Sequence, residues 1–184
     1  MAQADATVDL PVPADRIWAL IGGFGSLPDW QPNIPHSELR EGGRVRRLTG
    51  SDGTVIIERL IAFDHPGRRY SYTILEAPFP VTGYLSILRV TESDDGKGSR
   101  VEWSGRFTPD GVSEGEAASL FQRIYDDGLQ ALADKFAPKT RRAEQIDVIR
   151  SRAEPLRERH LRCCGRSSLV LPPSPWAGGR ISVA

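Results

Sequence analysis

The chain has 184 residues, of which 39% are hydrophobic, and its 24 basic and 24 acidic side chains give a formal net charge of zero. A chain of this size can build one domain with a full hydrophobic core and still leave residues over. Residues 1–137 hold 14 basic and 20 acidic side chains, a balance of −6, whereas residues 138–184 hold 10 and 4, a balance of +6. This asymmetry predicts an acidic domain followed by a basic tail.

The sequence carries no signal for a membrane or for an oxidising compartment. No run of 18 apolar residues occurs, so we expect no transmembrane helix and no membrane insertion. Residues 1–5 lack a basic region followed by an apolar one, so we expect no signal peptide. The two cysteines, Cys163 and Cys164, are adjacent and cannot link distant parts of a fold. A reducing, cytoplasmic setting is therefore predicted.

One strand and two short helices are predicted at the start of the chain. Residues 7–12 alternate polar and apolar side chains, which favours a first strand. Pro13 suits a helix start, and the pattern after it predicts a helix over residues 14–21, which the glycines of residues 22–25 end. Residues 26–32 predict at most a second short helix or a turn.

The middle of the chain, from residue 37 to residue 107, is typical of a succession of strands. Turn sequences rich in Gly, Asp and Pro separate the apolar segments, at residues 41–43, 51–53, 65–67 and 94–96. The strands predicted between them cover residues 44–49, 54–63, 70–75, 82–91 and 100–107. Because the connections are short, the pattern favours an antiparallel meander.

A long amphipathic helix is predicted over residues 113–136. Its apolar side chains recur at helical spacing along one broad stripe, and its charged side chains lie elsewhere. Ser113 and Glu116 have the spacing of a capping box, which predicts the helix start. Gly128 lies inside this helix, where glycine costs about 1 kcal/mol relative to alanine. Close packing against a neighbour and room for a ligand are both possible reasons for it.

This order of elements predicts an α+β fold with a curved antiparallel sheet wrapped around the long C-terminal helix and two short helices after the first strand. A curved sheet cannot follow a straight helix along its whole length. We therefore expect a cavity where the two diverge, and apolar cavities with a few polar groups are common small-molecule sites.

Glu58 is the sharpest candidate for a functional residue. It lies in the middle of the strand predicted over residues 54–63, on the same face as Ile56 and Leu60. A carboxylate on an inward face must be paired, hydrated or neutralised. One interpretation is a group that binds a ligand hydroxyl or acts as a general base. The other is an internal ion pair, with Arg47 on the neighbouring strand as the partner.

The other candidate residues would line the same cavity. Tyr84 alternates with Ser86, and a phenol that faces a cavity can donate to a ligand carbonyl, although a buried core tyrosine is the other interpretation. Tyr72 on the preceding strand would supply a second ring. Leu120 and Ile124 of the long helix would supply apolar walls.

The tryptophans of the predicted domain are interpreted as structural. Trp103 shares a face with apolar neighbours, and core packing accounts for it. We expect Trp18 to be structural as well, and Trp30 to close one end of the cavity. No metal-ligand cluster, phosphate loop, dinucleotide fingerprint or nucleophile turn is present, so no metal and no cofactor are predicted.

Seven short motifs follow one another along the predicted domain. They are VPADRIW at 12–18, FGSLPDWQP at 24–32, GRVR at 43–46, ERL at 58–60, PFPV at 78–81 with Tyr84, VEW at 101–103 and GL at 128–129. Together they resemble the START-like, helix-grip superfamily, and in particular bacterial proteins of the polyketide cyclase/dehydrase and lipid-transport (SRPBCC) group. The resemblance spans about residues 6–137, which we take as the ligand-binding domain.

The resemblance implies that the cavity binds a small hydrophobic or amphipathic molecule, for carriage or sensing. Glu58, Tyr84 and the neighbouring polar groups of Arg47 and Ser86 would then contact the ligand. The alternative is a cofactor-independent cyclase or dehydratase of the polyketide type, in which Glu58 acts as the base and Tyr84 orients a carbonyl. Because members of one fold perform many functions, the resemblance alone does not decide between them, and binding is the interpretation we favour.

A more distant resemblance is to the plant abscisic-acid receptors, in which two loops act as a gate and a latch over the cavity. Residues 49–53 occupy the place of the gate and residues 78–81 that of the latch. The characteristic gate and latch residues of those receptors are absent. The resemblance therefore implies mobile loops over a cavity mouth, and not hormone sensing.

The tail, residues 138–184, has no counterpart in the family pattern. Its arginines could form a helix that binds an acidic partner, RNA or an anionic membrane face, and residues 172–179 are rich in Pro and Gly, which favours disorder. A partly helical or disordered appendage without a dedicated partner is the prediction, and no specific nucleic acid partner is expected. A tail-mediated interaction would instead predict salt-sensitive association that is lost when residues 138–184 are removed.

Overall fold

The computed structural model describes residues 1–137, so the predictions for the tail lie outside the described residues. Seven strands are present: β1 (Ala2–Leu10), β2 (His36–Arg40), β3 (Val45–Thr49), β4 (Val55–Asp64), β5 (Arg69–Glu76), β6 (Val81–Glu92) and β7 (Ser99–Pro109). Three α-helices accompany them: α1 (Ala14–Ile21), α2 (Leu27–Trp30) and α3 (Glu114–Phe136). A single 3-10 turn, Glu41–Gly43, joins β2 to β3.

The strands form one antiparallel sheet in the order β1-β7-β6-β5-β4-β3-β2. Strands β2 to β7 follow one another as a meander, and β1 pairs with the last strand, from Ala2 opposite Phe107 to Leu10 opposite Ser99. Helix α3 packs against β1 and β7 at that end of the sheet. The predicted α+β fold, an antiparallel sheet with a long C-terminal helix, is confirmed.

Two strands differ from the sequence prediction. Strand β1 begins at Ala2, five residues before the predicted start, and buries Ala4 and Ala6 on its inner face. Strand β2 was not among the predicted strands, and most of its side chains are exposed. Alanine has a low strand propensity, and a strand without buried apolar residues has no alternating signal. The first five residues of β1 and the whole of β2 are therefore not visible in the sequence alone.

The interior between the sheet and α3 is filled by large aromatic side chains. The rings of Phe107 and Phe121 lie 4.5 Å apart, and those of Tyr84 and Phe121 lie 5.0 Å apart, measured between centroids. Trp103 stacks on Tyr125 at 4.9 Å. These contacts join β6 and β7 to α3 at the place where the sequence predicts a cavity.

The start and the middle of α3 are both fixed by specific contacts. Ser113 Oγ accepts from the Glu116 amide at 3.2 Å, and Glu116 Oε2 accepts from the Ser113 amide at 2.9 Å, which is the predicted capping box. A Cβ added at Gly128 would lie 2.1 Å from Nε2 of Gln31 and 2.7 Å from the Trp103 ring. Of the two reasons considered for Gly128, the structure therefore supports close packing.

Candidate functional site

A buried ion pair between β3 and β4 is the most unusual feature of the interior. Arg46 Nε donates to Glu58 Oε2 at 2.5 Å, and the two side chains are only 1% and 8% exposed. Arg46 Nη1 also donates to the carbonyl oxygen of Phe24 at 2.8 Å. The guanidinium lies over the rings of Phe24 and Tyr72, 4.3 and 4.8 Å from their centroids. The cation is thus held by a carboxylate, a carbonyl and two aromatic faces.

Burial acts on the two charges of this pair in different ways. Burial raises the pKa of Glu58, and the neighbouring Arg46 charge opposes that rise. Burial alone would lower the pKa of Arg46, but the Glu58 carboxylate outweighs this effect, so the pKa of Arg46 is raised. Arg46 therefore stays protonated, and Glu58 is the member of the pair whose charge can change.

The partner of Glu58 is Arg46, and the sequence-based choice of Arg47 was wrong. Residues directly opposite each other in an antiparallel pair share a face, and β3 places Arg46 opposite Glu58. Arg47 lies opposite Ile57, so its side chain belongs to the other face of the sheet. Its Nη1 donates to the hydroxyl of Thr49 at 3.1 Å. Arg47 is thus not placed to contact a ligand beside Glu58.

A second polar cluster surrounds the indole nitrogen of Trp103. Trp103 Nε1 donates to the Tyr72 hydroxyl at 3.0 Å and to Ser86 Oγ at 3.1 Å. Ser86 Oγ in turn donates to the carbonyl oxygen of Ser104 at 2.8 Å. Tyr72 and Ser86 are therefore brought together, because β5 and β6 pair these two residues directly opposite each other. Trp103 was expected only to pack in the core, and its N–H group proves to organise the cluster.

A pair of tyrosines links the sheet to α3. The hydroxyls of Tyr84 and Tyr125 are 2.6 Å apart and hydrogen-bonded. Burial raises the pKa of Tyr84 well above its ordinary value and raises the pKa of Tyr125 to about 12. Both hydroxyls are therefore protonated at neutral pH and can donate hydrogen bonds. Tyr125 was missed as a site residue, although a hydroxyl on an otherwise apolar helix stripe is a signal that could have found it.

A surface cleft lies beside Tyr84 of this pair, and the predicted wall residues Leu120 and Ile124 lie on α3. Ile124 packs against the core, whereas Leu120 is partly exposed and lies at the edge of it. A cleft of about 450 Å³ runs between the end of β5, the loop before β6 and the start of β6, and Tyr84 lies at its inner side. Phe79 in that loop packs edge-on against Phe121 of α3, with centroids 5.4 Å apart.

Other site types receive no support from the described part of the chain. Within residues 1–137, no three His, Cys, Asp or Glu side chains are grouped so as to hold a metal ion. His65 instead accepts a hydrogen bond on Nδ1 from Trp18 Nε1 at 3.0 Å. Among the helices of the same region, none is both long enough and apolar enough to cross a bilayer.

The comparisons with known proteins agree with this architecture. Residues 1–137 match the family model for polyketide cyclase/dehydrase and lipid transport, and the chain belongs to that family, which confirms the predicted membership. It is 52% identical to the protein XoxI from Bacillus cereus, over 74% of this chain and 96% of that one, with a TM-score of 0.72.

Two further solved structures extend the comparison. An uncharacterised protein from Bacillus thuringiensis is 50% identical, over 74% of this chain and all of that one, with a TM-score of 0.73. A START superfamily protein from Mycobacterium smegmatis is 14% identical, over 74% of this chain and 97% of that one, with a TM-score of 0.62. The last similarity concerns the fold alone, and it is the START-like fold.

Proposed function

We propose that the protein binds a small hydrophobic or amphipathic molecule between the inner face of the sheet and α3, as a carrier or a sensor. The observation that carries the proposal is the buried Arg46–Glu58 pair in an interior made mainly of aliphatic and aromatic side chains. Replacing a buried ion pair by apolar residues is often neutral or stabilising, so stability alone is a weak reason to keep one. An apolar site with a few polar groups is typical of small-molecule binding.

The contacts in the site suggest how a ligand would be held. Arg46 Nε donates a hydrogen bond to Oε2 of Glu58, and within residues 1–137 the other carboxylate oxygen accepts no hydrogen bond. That oxygen is available to a ligand hydroxyl or amine. The rings of Tyr72, Tyr84 and Phe121 would enclose the apolar part of the molecule. Entry would follow the cleft that reaches Tyr84, after Phe79 moves away from Phe121.

Native mass spectrometry of the purified full-length protein tests the proposal, followed by denaturing extraction of any retained molecule. The expected result is a bound small molecule in a fixed ratio to the protein. A double variant, Arg46→Met with Glu58→Leu, removes the polar groups of the pair, so it should retain less of that molecule. Binding that is unchanged in this double variant would place the ligand elsewhere.

The enzymatic alternative, a cyclase or dehydratase, rests on the raised pKa of Glu58. A carboxylate that burial makes more basic is a better proton acceptor, and Tyr84 could orient a carbonyl oxygen. An enzyme needs the proton chemistry of the carboxylate, whereas a carrier needs only its shape and polarity. Glu58→Gln should therefore abolish turnover while leaving most substrate binding in place, if the alternative holds.

A further inference from the structure

Trp30, the last residue of α2, carries a buried hydrogen-bond donor without a partner. Its side chain is only 1% exposed, and within residues 1–137 its Nε1 forms no hydrogen bond. An indole N–H can only donate, so it needs an acceptor once water has been removed. Buried donors in native proteins nearly always have a partner in the protein, a water molecule or a ligand.

The other two tryptophans in the described part of the chain do not share this feature. Trp18 Nε1 donates to His65 Nδ1 at 3.0 Å, and Trp103 Nε1 is shared between Tyr72 and Ser86. The fold thus provides an acceptor for each of these indoles, and Trp30 is the exception among them. A bound molecule could supply the hydrogen-bond acceptor that this N–H lacks.

Trp30 lies at one end of a continuous line of contacts through the interior. Its ring centroid is 5.7 Å from that of Trp103, and Trp103 donates to the Tyr72 hydroxyl. The Arg46 guanidinium lies over the Tyr72 ring and is paired with Glu58. The Trp30 indole therefore belongs to the same packed interior as the Arg46–Glu58 pair.

We propose that Trp30 Nε1 donates a hydrogen bond to a neutral acceptor oxygen of the ligand, and that the ligand carries this oxygen as a ketone, aldehyde or ester carbonyl. The inference rests on the proposed function and names the ligand class. A neutral oxygen is expected because Arg46, the single buried cation of residues 1–137, already pairs with Glu58. A ligand carboxylate would enter the interior without a counter-charge, which is far more costly than a carbonyl.

Two fluorescent probes that differ by one carbonyl test the inference on the full-length protein. Prodan is a naphthalene with a dimethylamino group and a propionyl ketone, and its analogue, dimethylaminonaphthalene, lacks the ketone. We expect the wild-type protein to bind prodan about fivefold more tightly than the analogue, as one hydrogen bond allows. In Trp30→Phe, which removes the N–H, that preference should disappear.

A matched variant and a second readout make the test independent of folding defects. Trp18→Phe removes an indole whose N–H already has a protein partner, so it should keep the preference for prodan. In the wild-type protein, the indole N–H signal of Trp30 in a nitrogen-labelled sample should move when prodan binds and stay in place with the analogue. The signal that is missing from the spectrum of Trp30→Phe is assigned to Trp30.

The outcomes separate the two proposals. If neither probe binds the wild-type protein, the inference is overturned, and the proposed function fails as well if native mass spectrometry also finds no retained molecule. If both probes bind but with equal affinity, only the inference is overturned. The same holds if Trp30→Phe keeps the preference and the Trp30 signal stays unmoved by prodan.

Discussion

At the scale of single residues, the Arg46–Glu58 pair makes a direct prediction about stability. Arg46→Met leaves the buried carboxylate without its counter-ion, so we expect a loss of about 3–5 kcal/mol in the free energy of unfolding. Adding Glu58→Leu removes the second charge as well and should restore most of that loss, because no desolvated charge remains. Urea unfolding of the single and double variants measures both effects.

Arg47 provides the matched control for this prediction, since it is the next residue on the same strand but belongs to the opposite face. Arg47→Met should change the free energy of unfolding by less than about 0.5 kcal/mol. Equal losses in Arg46→Met and Arg47→Met would contradict the assigned pairing. A double variant as unstable as Arg46→Met would show that lost packing, not the unpaired charge, causes the effect.

Gly128 makes a second prediction at this scale, concerning close packing. Replacing glycine by alanine inside an exposed helix usually stabilises a protein by about 1 kcal/mol. At Gly128 the new Cβ would lie 2.1 Å from Gln31 Nε2 and 2.7 Å from the Trp103 ring, so Gly128→Ala should destabilise by about 1–3 kcal/mol. Gly115→Ala on the same helix has no neighbour within 4 Å and should be neutral or stabilising. Thermal unfolding compares the two variants, and shifts of their melting temperatures in the same direction would refute the prediction.

The Arg46–Glu58 pair shows which part of the site can be predicted from the sequence. Alternation along β4 places Glu58 on an inward face, as predicted. The partner strand offers two adjacent arginines, Arg46 and Arg47, and alternation requires that they face opposite sides. Which of them faces Glu58 depends on the register between β3 and β4, and a one-residue shift of register exchanges the two. Register is a tertiary property, so the sequence alone could not choose Arg46.

At the scale of the elements, the start of α3 gives a third prediction. Ser113 accepts a hydrogen bond from the Glu116 amide, and its removal leaves a helix-terminal N–H unsatisfied. Ser113→Ala should therefore lower the free energy of unfolding by about 1 kcal/mol. Ser119 is exposed on the same helix, and Ser119→Ala should be neutral or slightly stabilising. Urea unfolding of the two variants tests this prediction. Equal losses in the free energy of unfolding would show that the Ser113 cap does not stabilise the protein.

The elements also show why most of the fold was predictable. The turn sequences between the strands and the apolar stripe of α3 are local signals, and local signals place β3 to β7, α1 and α3 within one or two residues. Strand β1 extends back to Ala2 because its alanines pair with β7 and face the core, which is a non-local cause. The closed aromatic interior was not predicted either, since the spacing between a sheet and a helix is not encoded in any one segment.

At the scale of the whole molecule, the tyrosines predict a steep loss of stability at alkaline pH. All four tyrosines of the chain are buried, and burial raises the pKa of each, for Tyr125 to about 12. The folded protein therefore keeps phenol protons that the unfolded chain releases near pH 10. The buried tyrosines contribute their full stabilisation below pH 10. As the pH rises towards 12 and beyond, the free energy of unfolding falls by about 1.4 kcal/mol per pH unit for each tyrosine.

Tyrosinate absorbance and circular dichroism, recorded together during an alkaline titration, measure this effect. Tyrosine ionisation and unfolding should coincide in one cooperative step, with no ionisation near pH 10 while the fold is intact. A gradual ionisation near pH 10 in the folded protein would mean that solvent reaches at least one of these rings. In that case the interior is open to water without a ligand.

The pairing of β1 with β7 has a consequence for how the chain folds as it is synthesised. Leu10 pairs with Ser99, so at least 89 residues separate the first strand from its partner, and the separation grows to Ala2 and Phe107. At 5–20 residues per second, the ribosome needs roughly 5–20 seconds to cover that distance. During this interval the apolar face of β1 has no strand beside it. Strand β1 thus leaves the ribosome long before its partner, and the sheet gains its edge strand only after β7 has been made.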